Sequence, residues 1–164
     1  MNSNLNDKIP VYLESESDML SKFYSLEDYN LSNELEEYII KEVNRKYKNE
    51  KIKIYVEFKE EGNVEKFKKA IYNTFIKKMK SVEHDIRKNN IVSLVELIIG
   101  IILGVLVYML SGINNGLSQL VSIACWVFIW YSVETYFFVN RELKLEKIRY
   151  NQIIIAEITT EVKI

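Results

Sequence analysis

The spacing of hydrophobic and polar positions changes repeatedly along this chain, and each change predicts an element. Ile9, Val11 and Leu13 alternate with Pro10 and Tyr12, the period of a strand. Pro10 lacks a ladder donor, so that strand belongs at a sheet edge. From Asn33 to about Tyr47, Leu35, Tyr38, Ile39, Val43 and Tyr47 recur at helical spacing and predict an amphipathic helix. Ile52, Ile54, Val56 and Phe58 then alternate with Lys51, Lys53, Glu57 and Lys59, a half-buried strand. Glu61-Gly62-Asn63 breaks it, and Val64, Phe67, Ile71, Phe75 and Met79 mark a second amphipathic helix. No Pro or Gly follows until Gly100, so helix is expected from about Asn63 through Leu110, roughly 70 Å at about 1.5 Å per residue. Ser81, Asn89 and Asn90 are weak helix formers and mark the place for a bend.

Two apolar runs come next, Ile91–Leu110 and Leu117–Phe138, each about the ~20 residues a helix needs to cross a bilayer. Only the uncharged Ser111–Gly116 separates them, which predicts a transmembrane helical hairpin with both chain ends on one side. After the second run, Arg141–Tyr150 continues the helix. Ile154, Ala156, Ile158, Thr160, Val162 and Ile164 then fall on one face of an extended segment. A lone strand is unstable in water, so this one is expected to pair with the N-terminal strands. The resulting fold class is an α+β cytoplasmic module, about three strands and two helices, fused to the hairpin. Its parts are residues 1–90 with a helical stem from about 63, the hairpin at 91–138, and residues 139–164 completing the module.

Charge orients this layout. Lys77, Lys78, Lys80, Arg87 and Lys88 precede the first run, Arg141, Lys144, Lys147 and Arg149 follow the second, and the connecting loop has none. The side richer in Lys and Arg stays in the cytoplasm, so both termini are expected there, in a multi-pass protein of the inner membrane. Residues 1–30 hold no apolar stretch of the kind a cleavable signal needs. The net charge of −1 hides a segregation: nine acidic and two basic residues in 1–40, fifteen basic and eight acidic in 41–90. Lys77, Lys78, Lys80, Arg87, Lys88, Arg141 and Lys144 are therefore candidate contacts for lipid headgroups, at about 1 kcal/mol each near an anionic surface. A solvated helix face satisfying the positive-inside rule is the plainer account of the same residues. No nucleic-acid-reading motif accompanies the charge, and nucleic acid is not an expected partner.

Candidate chemistry is sparse. Cys125 and His84 are the only residues of their kinds, which excludes a disulfide framework or conventional soft-metal site; no cofactor or metal is expected. Neither a nucleophile with its base nor a phosphate loop is present, so an enzyme is not expected. Charged residues inside a span are costly and tend to be functional, which singles out Glu96 and Glu134 as a candidate intramembrane polar site. They lie eighteen and twenty residues from Asn114 at the loop centre, hence at nearly the same depth. Such a pair would share a proton or hold a cation. Helical phase opposes their meeting within one hairpin, because Glu134 lies away from the small-residue face of Ser118, Ser122, Cys125 and Ser132. The simpler account has both carboxylates reaching toward the interface to pair with Arg87, Lys88 or Arg141. Gly100 and Gly104 form a GxxxG motif, a candidate packing face with Ser118 and Ser122, serving a homo-oligomer or the second helix of the same chain.

The run Trp126-Val127-Phe128-Ile129-Trp130, then Glu134, Phe137-Phe138 and Arg141-Glu142-Leu143-Lys144, resembles the close of the second span in a group of small bacterial two-span membrane proteins. Leu31-Ser32-Asn33-Glu34-Leu35-Glu36-Glu37-Tyr38-Ile39 is similar to that group's first helix. The resemblance implies the two-span architecture and a bacterial setting, and no activity. Two functional expectations follow: a membrane-anchored interaction or regulatory module with a cytoplasmic protein partner, or an oligomeric channel or permeability factor that uses Glu96.

Overall fold

The computed structural model describes residues 8–22, 28–46, 51–59 and 62–160. Their elements run β1 (Lys8–Leu13), α1 (Glu16–Met19), α2 (Asn33–Asn44), β2 (Lys53–Phe58), α3 (Val64–Ser111), α4 (Asn115–Val133), a π-helical turn (Glu134–Val139), α5 (Asn140–Ile154) and β3 (Glu157–Thr159). The protein is mostly helical, with one small parallel sheet and two long apolar helices. Contacts divide it into two units, Met1–Ser81 with Glu146–Ile164, and Val82–Leu145. These boundaries fall within the stretches read from sequence as stem and tail.

In the first unit the strand order is β1-β2-β3, every pair parallel, with Ile9 beside Ile54 and Ile54 beside Ile158. Parallel neighbours need crossover connections. The segment carrying α2 supplies the first; the second spans everything from α3 to α5. Ile9, Val11, Ile54 and Val56 are buried on one sheet face, as their alternation predicts. Met19 of α1, Leu35, Ile39 and Val43 of α2, Phe67, Ala70, Ile71 and Phe75 of α3, and Tyr150 and Ile153 of α5 are buried apolar helical residues of the same unit. The Phe75 and Tyr150 rings sit 5.8 Å apart.

β1 is the edge strand that Pro10 requires. The Leu13 carbonyl accepts from Lys59 N at 2.9 Å, so Ile9, Val11 and Leu13 turn their backbone groups toward β2. Pro10, one step out of phase, therefore lacks its N–H on the open side, and its carbonyl there accepts from Tyr38 Oη at 2.7 Å. A missing donor and a capped acceptor blunt this edge against further strand pairing.

Several boundaries differ from the periodic reading. α2 ends at Asn44, and Tyr47 lies outside the described residues, as do Val162 and Ile164. Ile154, expected on the terminal strand, closes α5 instead, because Tyr150 and Ile153 still bury at helical spacing; extended backbone starts only at Glu157. α1 was not legible from periodicity. Its signal is not a rhythm of apolar residues but Ser15 with Asp18 three residues on: Ser15 N donates to Asp18 Oδ2 at 2.9 Å, one arm of a capping box. α3 is one unbroken helix of 48 residues, begun by Asn63 Oδ1 accepting from Glu65 N and Lys66 N at 2.9 and 3.1 Å.

The charge segregation acquires a structural meaning in this unit. Lys66 Nζ reaches Glu16 at 2.5 Å, Lys77 reaches Asp28 at 2.7 Å, and Lys78 reaches Glu36 at 2.5 Å. The acidic N-terminal third is thus held against the basic opening turns of α3.

Candidate functional site

The second unit is a helical pair joined at Gly112–Asn114, with Asn114 Oδ1 accepting from Leu117 N at 3.1 Å to start α4. Its two apolar windows are each only 11% buried. A helix apolar because it fills a soluble core would be mostly covered. Ile101, Ile102, Leu120, Ile123 and Trp126 are each more than half exposed.

What lies between the helices is polar and regularly spaced. Ser118 Oγ donates to the Val107 carbonyl at 3.2 Å, and Cys125 Sγ to the Gly100 carbonyl at 3.2 Å. Ser132 Oγ donates to the Ser93 carbonyl at 2.8 Å, while Ser93 Oγ donates to the Ser132 carbonyl at 2.9 Å, a reciprocal buried pair. Each rung lies seven residues from the next on both helices. Seven residues are about 700° of helix, roughly 20° short of two turns, so such a spacing keeps one seam facing its partner. Hydroxyl and thiol donors bonding to backbone carbonyls are a recurrent means of joining apolar helices, and small side chains allow the close approach they need.

The GxxxG residues belong to this seam. A methyl group on Gly100 would lie 2.7 Å from Ile129 Cγ1 and 3.4 Å from Ile129 N; one on Gly104 would lie 3.6 Å from Cys125 Sγ. Both glycines therefore face α4 of their own chain. Ser118 is buried in the seam and Ser122 is partly covered.

Glu96 lies between the Ser93 and Gly100 rungs, partly covered, and its Oε2 is shut away without a hydrogen-bond partner. Glu134 is exposed, at the start of the π turn. Among the described residues neither carboxylate forms an ion pair, with each other or with Arg87, Lys88 or Arg141. Lys80, Arg87, Lys88, Arg141 and Lys144 are exposed. Lys77 and Lys78, candidates for the same headgroup role, are engaged by Asp28 and Glu36. The Lys77 ammonium holds the Asp28 carboxyl below its usual value.

Sequence reasoning missed the polar pair beyond the last serine rung. Asn140 is fully buried and donates from Nδ2 to Asn90 Oδ1 at 2.7 Å, while its own Oδ1 has no partner. In the sequence Asn90 stands out only as a weak helix former. The spacing of Ser118, Cys125 and Ser132 was the available signal for the seam, but it points to Val139 rather than Asn140 as the next member.

The first unit offers a shallow groove of about 410 Å³ beside the β1 edge, lined by Tyr12, Leu13, Asp18, Ser32, Glu34 and Tyr38 among others. Burial raises the pKa of the Tyr38 hydroxyl at its rim, with the Glu42 carboxylate adding to it. Among the described residues no three His, Cys, Asp or Glu side chains gather as a metal site. No family model matches the chain, and comparison with curated proteins and with solved structures returned no match.

Proposed function

We propose that this chain is an integral membrane protein in which a two-helix hairpin anchors a small cytoplasmic α+β module, and that the module acts as an interaction or regulatory unit for a protein partner. The observation that carries this reading is the contrast between the two apolar helices and the rest: their outer faces are mostly apolar, and Ser93, Ser118, Cys125 and Ser132 turn inward to bond across the pair. That is the arrangement a lipid solvent rewards, since unpaired polar groups there are costly. Exposed Lys80, Arg87, Lys88, Arg141 and Lys144 sit at the ends of the apolar stretches where the positive-inside rule puts cytoplasmic charge. The partner-binding surface of the module is the groove beside β1, where Asp18 and Glu34 favour a basic segment.

A second reading, an oligomeric channel or permeability factor, is favoured by one feature: the buried, unpartnered Oε2 of Glu96. Proton and cation flux into liposomes holding the folded protein separates the two. The anchor reading expects flux equal to that of empty liposomes. Flux that falls on Glu96→Gln would replace it with the channel reading.

A further inference from the structure

The π turn at Glu134–Val139 breaks an otherwise regular pattern. Ser118, Cys125 and Ser132 step by seven along one stripe, and the next position at that spacing is Val139. Asn140 nevertheless occupies the seam, fully buried against Asn90, while Val139 is 42% exposed. Eight residues of uninterrupted α-helix would rotate Asn140 about 80° away from Ser132, at about 100° per residue. A turn that closes its hydrogen bonds one residue later absorbs one residue. Ser132 and Asn140 then stand as though seven apart, with the same offset of about 20° that separates the other rungs.

We propose that this turn is a register switch built into the hairpin: a one-residue insertion that selects whether an amide or an isopropyl group closes the charged end of the seam. With the turn at Glu134–Val139, Asn140 faces Asn90. When the extra residue is absorbed further along α5, Val139 takes that place and Asn140 rotates out. Opposing polar terms meet here. The observed register gains one amide–amide hydrogen bond but leaves the Asn140 Oδ1 buried without a donor. The alternative gives up the bond and frees the acceptor, while the valine, apolar against lipid or against the seam, weighs little in either. Helix registers separated by so little are the material of conformational switches.

The test has two parts, both on full-length protein in lipid vesicles. Deleting Phe137 from the turn restores seven-residue spacing to Asn140 and is expected to leave the melting temperature within a few degrees. Deleting Val127, between two rungs, is expected to lower it sharply. If the two deletions are equally damaging, the turn is not an insertion and the proposal fails. The second part uses disulfide trapping on a Cys125→Ser background, comparing Asn90→Cys with Asn140→Cys against Asn90→Cys with Val139→Cys. Both pairs lose Asn90, so their relative closure reads the register. Both are expected to cross-link at natural length, and only the Asn140→Cys pair after deletion of Phe137. If only the Asn140→Cys pair closes at natural length, the turn is fixed and the switch is overturned.

Discussion

Alanine at Gly100 and at Gly104 should act in opposite directions, and the difference identifies what the GxxxG motif packs against. At Gly100 the added methyl meets Ile129 Cγ1 at 2.7 Å and Ile129 N at 3.4 Å. The side chain must shift, and the backbone nitrogen has little room to do so. Overpacking of this kind costs about 1–3 kcal/mol, against which a helical Gly→Ala exchange returns about 1 kcal/mol. The net expectation is a loss of about 1 kcal/mol. At Gly104 the same methyl lies 3.6 Å from Cys125 Sγ, an ordinary contact, so the helix-propensity gain survives as about 0.5–1 kcal/mol of added stability. The assay is reversible unfolding in mixed micelles by denaturing-detergent titration, with cross-linking to follow any association. A glycine face that packs between copies would respond to both substitutions alike, and association would fall with both. Equal destabilisation by Gly100→Ala and Gly104→Ala, with loss of oligomer, would refute the intramolecular seam.

Two further outcomes are expected from the first unit. Removing residues 157–164 strips β3 from β2, with the Glu157 N to Ile52 carbonyl bond at 3.1 Å and the Lys53–Glu157 ion pair at 2.8 Å. Because a two-stranded remnant is marginal, limited proteolysis should then digest the module while the hairpin keeps its helicity; an unchanged protected module would count against closure by the chain's end. The Lys53 ammonium, by hydrogen bond first and by charge second, holds the Glu157 carboxyl below its usual value. That stabilisation is present above the ordinary carboxylate pKa of about 4 and is lost as pH falls through the lowered one. Acid unfolding of the module followed by circular dichroism should therefore begin at higher pH in Lys53→Gln, and an identical acid transition would exclude the pair as a contributor.

Which parts of this architecture were legible in advance depended on whether they were local. Alternation at Ile9–Leu13 and Ile52–Phe58 sufficed to predict two strands, because a half-buried strand shows its pattern residue by residue. The absence of Pro and Gly between Asn63 and Gly100 foretold the unbroken α3 for an equally local reason. The terminal strand was misplaced at Ile154 because Ile153, Ile154 and Ile155 suit a helix or a strand equally, and only the burial of Tyr150 and Ile153 on the helix decides. Small residues at Ser118, Cys125 and Ser132 were visible as a face, whereas Ser93, Asn90 and Asn140 had no sequence signal until their partners were known.

By itself, then, the chain's order of residues determined the first two strands, the helices α2 and α3, the length of the apolar runs and the charge that flanks them, since each follows from a period or a composition within one stretch. The tertiary structure alone decided the parallel order β1-β2-β3, the pairing of Lys77 and Lys78 with Asp28 and Glu36, and the seam that draws Gly100 against Ile129. It also decided the π turn that carries Asn140 past the position its spacing assigns. These are choices of which faces meet across long separations. They rest on fit, hydrogen-bond satisfaction and helical phase, quantities that exist only once two segments are brought together.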